Sequence, residues 1–180
     1  TGQSINDADR KYQGMITLRQ GLIGSRNVTA LQAFQKVAAK DQSLIENFVH
    51  SVGINYGSTL YESASIGGFN GTNPLEMSAA YAVFGRGGYY IKPYSFTKVI
   101  FEDGTTYENK YTKEKVISEE TSYMITNVLV DTVRDSWSGS IKISGTEVAG
   151  KTGTTNLDIA TQKAQNLPAD LIPDSWNITY

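Results

Sequence analysis

Apolar side chains in the first half of the chain recur every three or four residues, the spacing of amphipathic helices. Leu18 to Ile23 predicts a short helix with Thr17 as its N-cap, interrupted by Gly24-Ser25-Arg26-Asn27. A second helix follows, with Val28, Leu31, Phe34 and Val37 or Ala38 as its stripe. Asp41 is placed to cap a third, Gln42 to Val52, expected to bury Leu44, Ile45, Phe48, Val49 and Val52, and Gly53 ends it. Tyr56 to Thr72, rich in Gly and Ser, reads as loop. The next helix has the clearest start, with Asn73 as N-cap, Pro74 at the first helical position and Glu76 where a capping box wants a carboxylate. Met77, Ala80, Tyr81 and Phe84 are expected on its buried face, and Gly85, Gly87 and Gly88 stop it.

Beyond Gly88 the pattern changes to the aromatic and β-branched runs of strands, Tyr89 to Ile91 and Phe96 to Phe101. Asp103-Gly104 is a hairpin signal, with Thr105 to Tyr107 returning. Ser118 caps a helix through about Val133, expected to bury Met124, Ile125, Val128 and Leu129. Lys142 to Ala149 leads into a strand that carries Lys151-Thr152-Gly153, Asn156 to Pro173 reads as a long polar loop, and a last strand starts at Trp176. Helices come first and hairpins later, without βαβ alternation. This predicts an α+β fold with an antiparallel sheet covered by helices. The 180 residues suit one domain or a large piece of one.

Composition removes several function classes. There is no cysteine, which excludes disulfides, thiolate catalysis and Cys-ligated metal centres. His50, the only histidine, would have to serve any Ser-His-Asp triad. Its place at the end of a helix is better explained by the helix dipole. The formal net charge is −2 with both signs mixed, and no basic stripe argues for nucleic acid. Glu119-Glu120 reads as dipole stabilisation at a helix start, Tyr89, Tyr90 and Tyr94 as strand aromatics, and Asp131, Arg134 and Asp135 as a solvated helix end.

Two short motifs could carry chemistry. Lys151-Thr152-Gly153-Thr154 follows an apolar approach, and its glycines form a strand that another backbone can come close to. A lysine ammonium there offers a fixed charge to a carboxylate, threonine hydroxyls orient it, and a backbone N–H beside Gly153 can face a developing oxyanion. Such a Lys-[Ser/Thr]-Gly triplet occurs by chance in roughly one chain in ten of this length, so alone it is weak. Ser25-Arg26-Asn27 is weaker still. Ser25 or Asn27 could simply cap the helix that starts at Val28. In a cleft, the Ser25 hydroxyl could relay a proton and the Asn27 amide could hold a substrate amide.

Together and in this order, the two motifs resemble the transpeptidase domain of penicillin-binding proteins, whose signatures include a Lys-Thr-Gly strand. The resemblance extends to Ile16-Thr17-Leu18-Arg19-Gln20-Gly21-Leu22, to Asn73 through Phe84 followed by Gly87-Gly88 and Lys92-Pro93, and to Asp174-Ser175-Trp176. It is greatest to the class A type, which also carries a glycosyltransferase domain. It implies a β-lactamase/transpeptidase-like fold, with residues 1–180 a partial domain lacking the last strands and C-terminal helix. It also implies roles. Ser25 would pass a proton to and from the leaving or attacking amine, Asn27 would hold the peptide carbonyl, and Lys151 would organise charge. Thr152 and Thr154 would bind the terminal carboxylate, and the Thr154 N–H beside Gly153 would be one oxyanion donor.

The Ser-x-x-Lys motif that supplies the nucleophile and its base is read as absent from the chain and expected upstream of Thr1. The partners implied are a peptidoglycan stem peptide ending in D-Ala-D-Ala and β-lactam antibiotics, with no metal or organic cofactor required. The location implied is the extracytoplasmic face of a bacterial membrane, with the anchor outside this chain. In a bacterial protein, the glycosylation patterns at Asn27, Asn70 and Asn177 are accidental. Three rivals stay open. The same fold could serve a D,D-carboxypeptidase or β-lactamase, or a non-catalytic β-lactam sensor or scaffold. Alternatively, the nucleophile could sit on a companion chain carrying the Ser-x-x-Lys segment.

Overall fold

Local capping sets the first element. Thr17 Oγ1 accepts from the Gln20 N–H at 3.2 Å, and the Gln20 side chain accepts from the Thr17 N–H at 2.9 Å. This reciprocal box starts α1, Leu18–Ile23. The computed structural model describes residues 4–57, 59–69, 71–136, 141, 143–155, 157, 159–168 and 171–180. Five more α-helices follow among them: α2 (Asn27–Ala38), α3 (Ser43–Ser51), α4 (Pro74–Gly85), α5 (Glu119–Ser136) and α6 (Ile159–Ala164). The strands are β1 (Tyr89–Tyr90), β2 (Lys98–Ile100), β3 (Thr106–Glu108), β4 (Glu114–Lys115), β5 (Gly150–Thr154) and β6 (Ser175–Thr179). Among the described residues all pairing is antiparallel, in three two-stranded ladders, β1–β4, β2–β3 and β5–β6, where one sheet was expected.

The chain divides into two compact units: Thr1–Ala30 with Asn127–Tyr180, and Leu31–Thr126. In the second unit the core is Val52, Ile54, Ala80 and Val83, flanked by Val49, Phe69, Met77, Tyr90, Val116 and Ile117. Asn73 Oδ1 accepts from the Glu76 N–H at 2.9 Å, so α4 starts at its expected cap. The buried face of α4 is centred on its small side chains rather than its large ones. Ala79, Ala80 and Val83 are buried, while Met77, Tyr81 and Phe84 are only half-buried. Gly88, at φ 90°, occupies the left-handed region that turns the chain from α4 into β1.

Several expectations need correction. Leu44 and Phe48 are exposed, because α3 turns Ile45, Val49 and Val52 inward, one helical step round from them. In the α2 stripe, Ala38 is half-buried and Val37 exposed. The Tyr56 to Thr72 loop contains a 3₁₀ turn, Glu62–Ile66, and buries Tyr56 and Leu60. Met124 is exposed, and the face α5 buries includes Ser122 and Thr132. Both hydroxyls donate to backbone carbonyls, of Phe84 at 2.5 Å and Val128 at 3.0 Å, so their burial costs little and leaves no apolar pattern to read. β4 was not anticipated, being two exposed charged residues. The polar loop after β5 contains α6. Asn70, Lys142, Asn156 and Asp158 lie outside the described residues.

In the first unit, α1 and α2 approach closely where Gly21 meets Thr29. A Cβ at Gly21 would lie 2.9 Å from Thr29 Cβ, which real side chains do not tolerate. Leu129, Val133 and Ala149 are buried here. Asp131 is not solvated: it is 13% exposed, pairs with Arg19, and accepts from Arg134 Nη1 at 2.7 Å.

Candidate active site

The turn between α1 and α2 sets the position of Ser25. The Ser25 N–H donates to Leu22 O at 3.1 Å and the Arg26 N–H to Gly21 O at 2.8 Å, closing the end of α1. Ser25 itself sits at φ 50°, the left-handed region that non-glycine residues enter at a cost of roughly 1–2 kcal/mol. Its hydroxyl oxygen accepts a hydrogen bond from Lys151 Nζ at 2.7 Å, across 126 residues of sequence. The same ammonium donates to the Thr152 carbonyl at 2.9 Å. Lys151 is half-buried, and burial holds its ammonium below the ordinary lysine value. The two short motifs therefore meet through one direct contact.

Neither Ser25 nor Asn27 caps the following helix in the expected way. Asn27 is the first residue of α2, and its amide donates to the Asn6 carbonyl at 2.8 Å. The Val28 N–H is capped instead by Asp7 Oδ1 at 3.1 Å. Asp7 also pairs with Arg26 Nη2 at 3.0 Å, while Asp9 Oδ2 accepts from Arg26 Nη1 at 2.8 Å and the Lys11 carbonyl accepts from Arg26. These pairings push the Arg26 guanidinium above its usual value and hold the Asp9 carboxyl below its own. The sequence reading passed over Asp7, Asp9 and Arg26. The available signal was two carboxylates, two residues apart, upstream of a lone arginine inside the motif.

The strand bearing Lys151 is paired on one side by β6, with Lys151 opposite Ile178 and Gly153 opposite Trp176. Ala149 and Tyr180 exchange both backbone hydrogen bonds at 3.0 Å, and the Thr155 N–H donates to Asp174 O at 3.1 Å. In an antiparallel ladder such bonded pairs recur every second residue. Residues 149, 151, 153 and 155 therefore turn their backbone groups toward β6, and Thr152 and Thr154 turn theirs away from it. The Lys151 bond to the Thr152 carbonyl lies on that outward side.

Thr152, Gly153 and Thr154 are all exposed. The two-residue period puts both threonine side chains on one face of β5. Gly153 has room for a side chain: a Cβ would meet only Trp176 Cβ, at an ordinary 3.6 Å. The fold therefore does not require glycine at this position. The site thus offers an ammonium on a strained serine hydroxyl, next to an outward strand edge with two N–H donors and two threonines.

One sequence expectation fails outright. A Ser-x-x-Lys does occur in the chain, as Ser95-Phe96-Thr97-Lys98. It has the wrong local structure for a nucleophile and its base. The motif needs a helix, where residues three apart share a face. Here Ser95 is in an irregular segment, Lys98 begins β2, and the Lys98 ammonium lies 3.7 Å from Glu108.

His50 is in the last turn of α3, its ring centroid 4.6 Å from that of Tyr56. Tyr94 stacks on Tyr111, and Lys115 lies over the Tyr89 ring. No helix of the described residues is long and apolar enough to cross a membrane.

Comparison with known proteins bears on the family and the fold. Residues 1–180 match the family described as the penicillin binding protein transpeptidase domain. The chain is 38% identical to penicillin-binding protein 1A/1B of Bacillus subtilis over 99% of its own length, and spans 20% of that relative. Among solved structures it is similar to penicillin-binding protein 1A of Haemophilus influenzae, with TM-score 0.74 and 24% identity, covering 86% of this chain and 29% of that one. It is equally similar to the D,D-transpeptidase domain of a peptidoglycan glycosyltransferase from Eggerthella lenta, with TM-score 0.74 and 20% identity, covering 97% of this chain and 47% of that one.

Proposed function

Because the chain belongs to the family of penicillin-binding protein transpeptidase domains, we propose that it forms the Ser-x-Asn and Lys-Thr-Gly side of a serine D,D-transpeptidase. The observation that carries this reading is the 2.7 Å contact between Lys151 and Ser25 beside an outward strand edge. The substrate is a peptidoglycan stem peptide ending in D-Ala-D-Ala, and β-lactams acylate the same nucleophile. That nucleophile is a serine outside residues 1–180, in a Ser-x-x-Lys segment of the same polypeptide or of a companion chain. The intact protein acts at the extracytoplasmic face of the cell membrane, anchored outside this chain.

The chemistry follows from the groups present. The substrate lies along the outward edge of β5. Its terminal carboxylate meets the Thr152 and Thr154 hydroxyls, next to the charge of Lys151. The nucleophile's hydroxyl gives its proton to the lysine of its own Ser-x-x-Lys segment as its oxygen attacks the carbonyl carbon of the penultimate D-Ala, and the developing oxyanion is received by the outward N–H of Thr154. Asn27, one amide hydrogen of which donates to the Asn6 carbonyl, offers the other to the peptide carbonyl of the substrate. The C–N bond then breaks, and the proton taken from the nucleophile reaches the departing D-Ala amine through Ser25, which takes up one proton as it gives one up. In the second step an acceptor amine attacks the ester, its proton passes through Ser25 to the nucleophile's lysine and on to the serine oxygen, and the ester C–O bond breaks to release the enzyme serine. Lys151 keeps the Ser25 oxygen oriented in both steps. The absence of a side chain at Gly153, which the fold does not demand, leaves the strand open to the substrate backbone.

The test is a product assay on the full-length parent, with a stem pentapeptide donor and an acceptor peptide, read by mass spectrometry. Cross-linked dimer together with released D-Ala supports the proposal. Free D-Ala without dimer would move the reading to a carboxypeptidase, and no product with no penicillin uptake would move it to a sensor or scaffold. Residues 1–180 alone are expected to take up no penicillin covalently.

A further inference from the structure

The segment Asn6 to Lys11 is built around the three residues that follow Ser25. Five of its oxygens accept from them: the Asn6 carbonyl from Asn27, Asp7 Oδ1 from the Val28 N–H, and Asp7 Oδ2, Asp9 Oδ2 and the Lys11 carbonyl from the Arg26 guanidinium. The Arg26 side chain is 9% exposed and that of Asp7 6%, so their ion pair is nearly withdrawn from water. Burying an ion pair is a poor way to gain stability, since desolvation offsets most of the attraction. What it supplies is geometry: a planar guanidinium holding three acceptors fixes the peptide that carries it. The residue immediately before Arg26 is Ser25, held at φ 50° with its oxygen on Lys151.

We propose that Asp7 and Arg26 are positioning residues that lock Ser25 in its left-handed conformation, so that its hydroxyl stays on Lys151. The inference rests on the role of Ser25 proposed above. The partners of the Asp7 carboxylate are the Val28 N–H and the Arg26 guanidinium. Asp7 acts through the Arg26 backbone and the first turn of α2, where it also supplies the cap that Ser25 would otherwise be free to supply. Displacing a reacting group by about 1 Å costs on the order of 100-fold in rate, so a relaxed Ser25 should be visible in kinetics before it is visible in folding.

The experiment is a double-mutant cycle on the full-length parent, reading the second-order rate of penicillin acylation. Asp7→Asn keeps an acceptor for Val28 and removes the charge opposite Arg26. In the wild-type background it is expected to slow acylation by about 10–100-fold. In the Ser25→Ala background it is expected to change the rate by less than about twofold, because two changes that act through one group are not additive. Equal slowing in both backgrounds, or none in either, overturns the proposal.

Crystal structures of the Asp7→Asn and Arg26→Lys parents form a second arm that needs no activity. Ser25 Oγ is expected to leave hydrogen-bond reach of Lys151, and an unchanged contact in both overturns the proposal. A wild-type parent that takes up no penicillin would instead count against the proposed function, and the crystal arm would still decide the positioning role. If one variant fails to fold, the other carries the test, since Asp7→Asn keeps the size of its side chain and Arg26→Lys keeps the charge.

Discussion

The turn at Ser25 with its β5–β6 ladder, and the helical core around Val83, are held by different means. Val83 is fully buried and packs with Val52, Ile54 and Ala80. Around Ser25 the fixed contacts are polar: an ammonium on a hydroxyl, a guanidinium on two carboxylates, and one outward strand edge. Apolar burial is tolerant, since a core accepts many side chains of similar volume. A polar site accepts few, because each donor needs its acceptor within a few tenths of an ångström. The core can thus be damaged without touching chemistry, and the site can be silenced without unfolding the protein.

The largest separation of the two should come from Lys151→Ala in the full-length parent. Acylation by penicillin is expected to fall by about 100–1,000-fold, the typical cost of removing one preorganised polar group. The melting temperature should hardly move. A large fall in melting temperature would mean that Lys151 is structural.

Gly153→Ala sharpens the same point at smaller scale. A Cβ has ordinary room against Trp176, so stability should change by less than about 0.5 kcal/mol, as for surface substitutions. Acylation should slow by about tenfold or more as the methyl group obstructs the strand edge, a loss of about 1.4 kcal/mol in the transition state. Unchanged acylation would place the substrate elsewhere.

The converse experiment is Val83→Ala, expected to cost about 2 kcal/mol in denaturant unfolding. The acylation rate at temperatures below melting should not change. Gly21→Ala should also destabilise, by about 1–3 kcal/mol, because the added methyl overpacks the contact with Thr29.

The pH dependence is the mildest probe. Burial lowers the Lys151 value, so the ammonium loses its proton at lower pH than an ordinary lysine would. A reaction that needs the charge should lose rate as pH rises through that lowered value. Lys151→Arg, so far as it retains activity, should remove this alkaline limb. A limb that persists in the arginine variant would belong to another group.

The same contrast explains what could be read in the sequence. Capping and periodicity located α1 and α4 at their observed starts, because Thr17, Gln20, Asn73 and Pro74 act on their own backbone. The two motifs were legible as Ser25 and Lys151, and the chemistry proposed for them comes from residue type. Their contact was not, since it joins residues 126 positions apart. The buried face of α5 was misread because Ser122 and Thr132 satisfy their hydroxyls on backbone carbonyls, which no hydrophobic pattern reports. Asp7 and Asp9 drew no reading in the sequence, because what they do depends on the fold bringing Arg26 to them. Ser95-Phe96-Thr97-Lys98 teaches the reverse, that the letters of a motif need a local structure that brings its side chains together, whereas here Ser95 lies in an irregular segment and Lys98 begins a strand.

The central claim is that residues 1–180 supply the charge and the strand edge, and that the nucleophile comes from elsewhere. The most direct measurement is penicillin labelling of the complete parent, with peptide mapping of the adduct. The account expects one adduct, on a serine outside residues 1–180, greatly slowed by Lys151→Ala. An adduct on Ser95, on Ser25 or on any other residue of this chain would contradict it, as would a well-folded parent that takes no label.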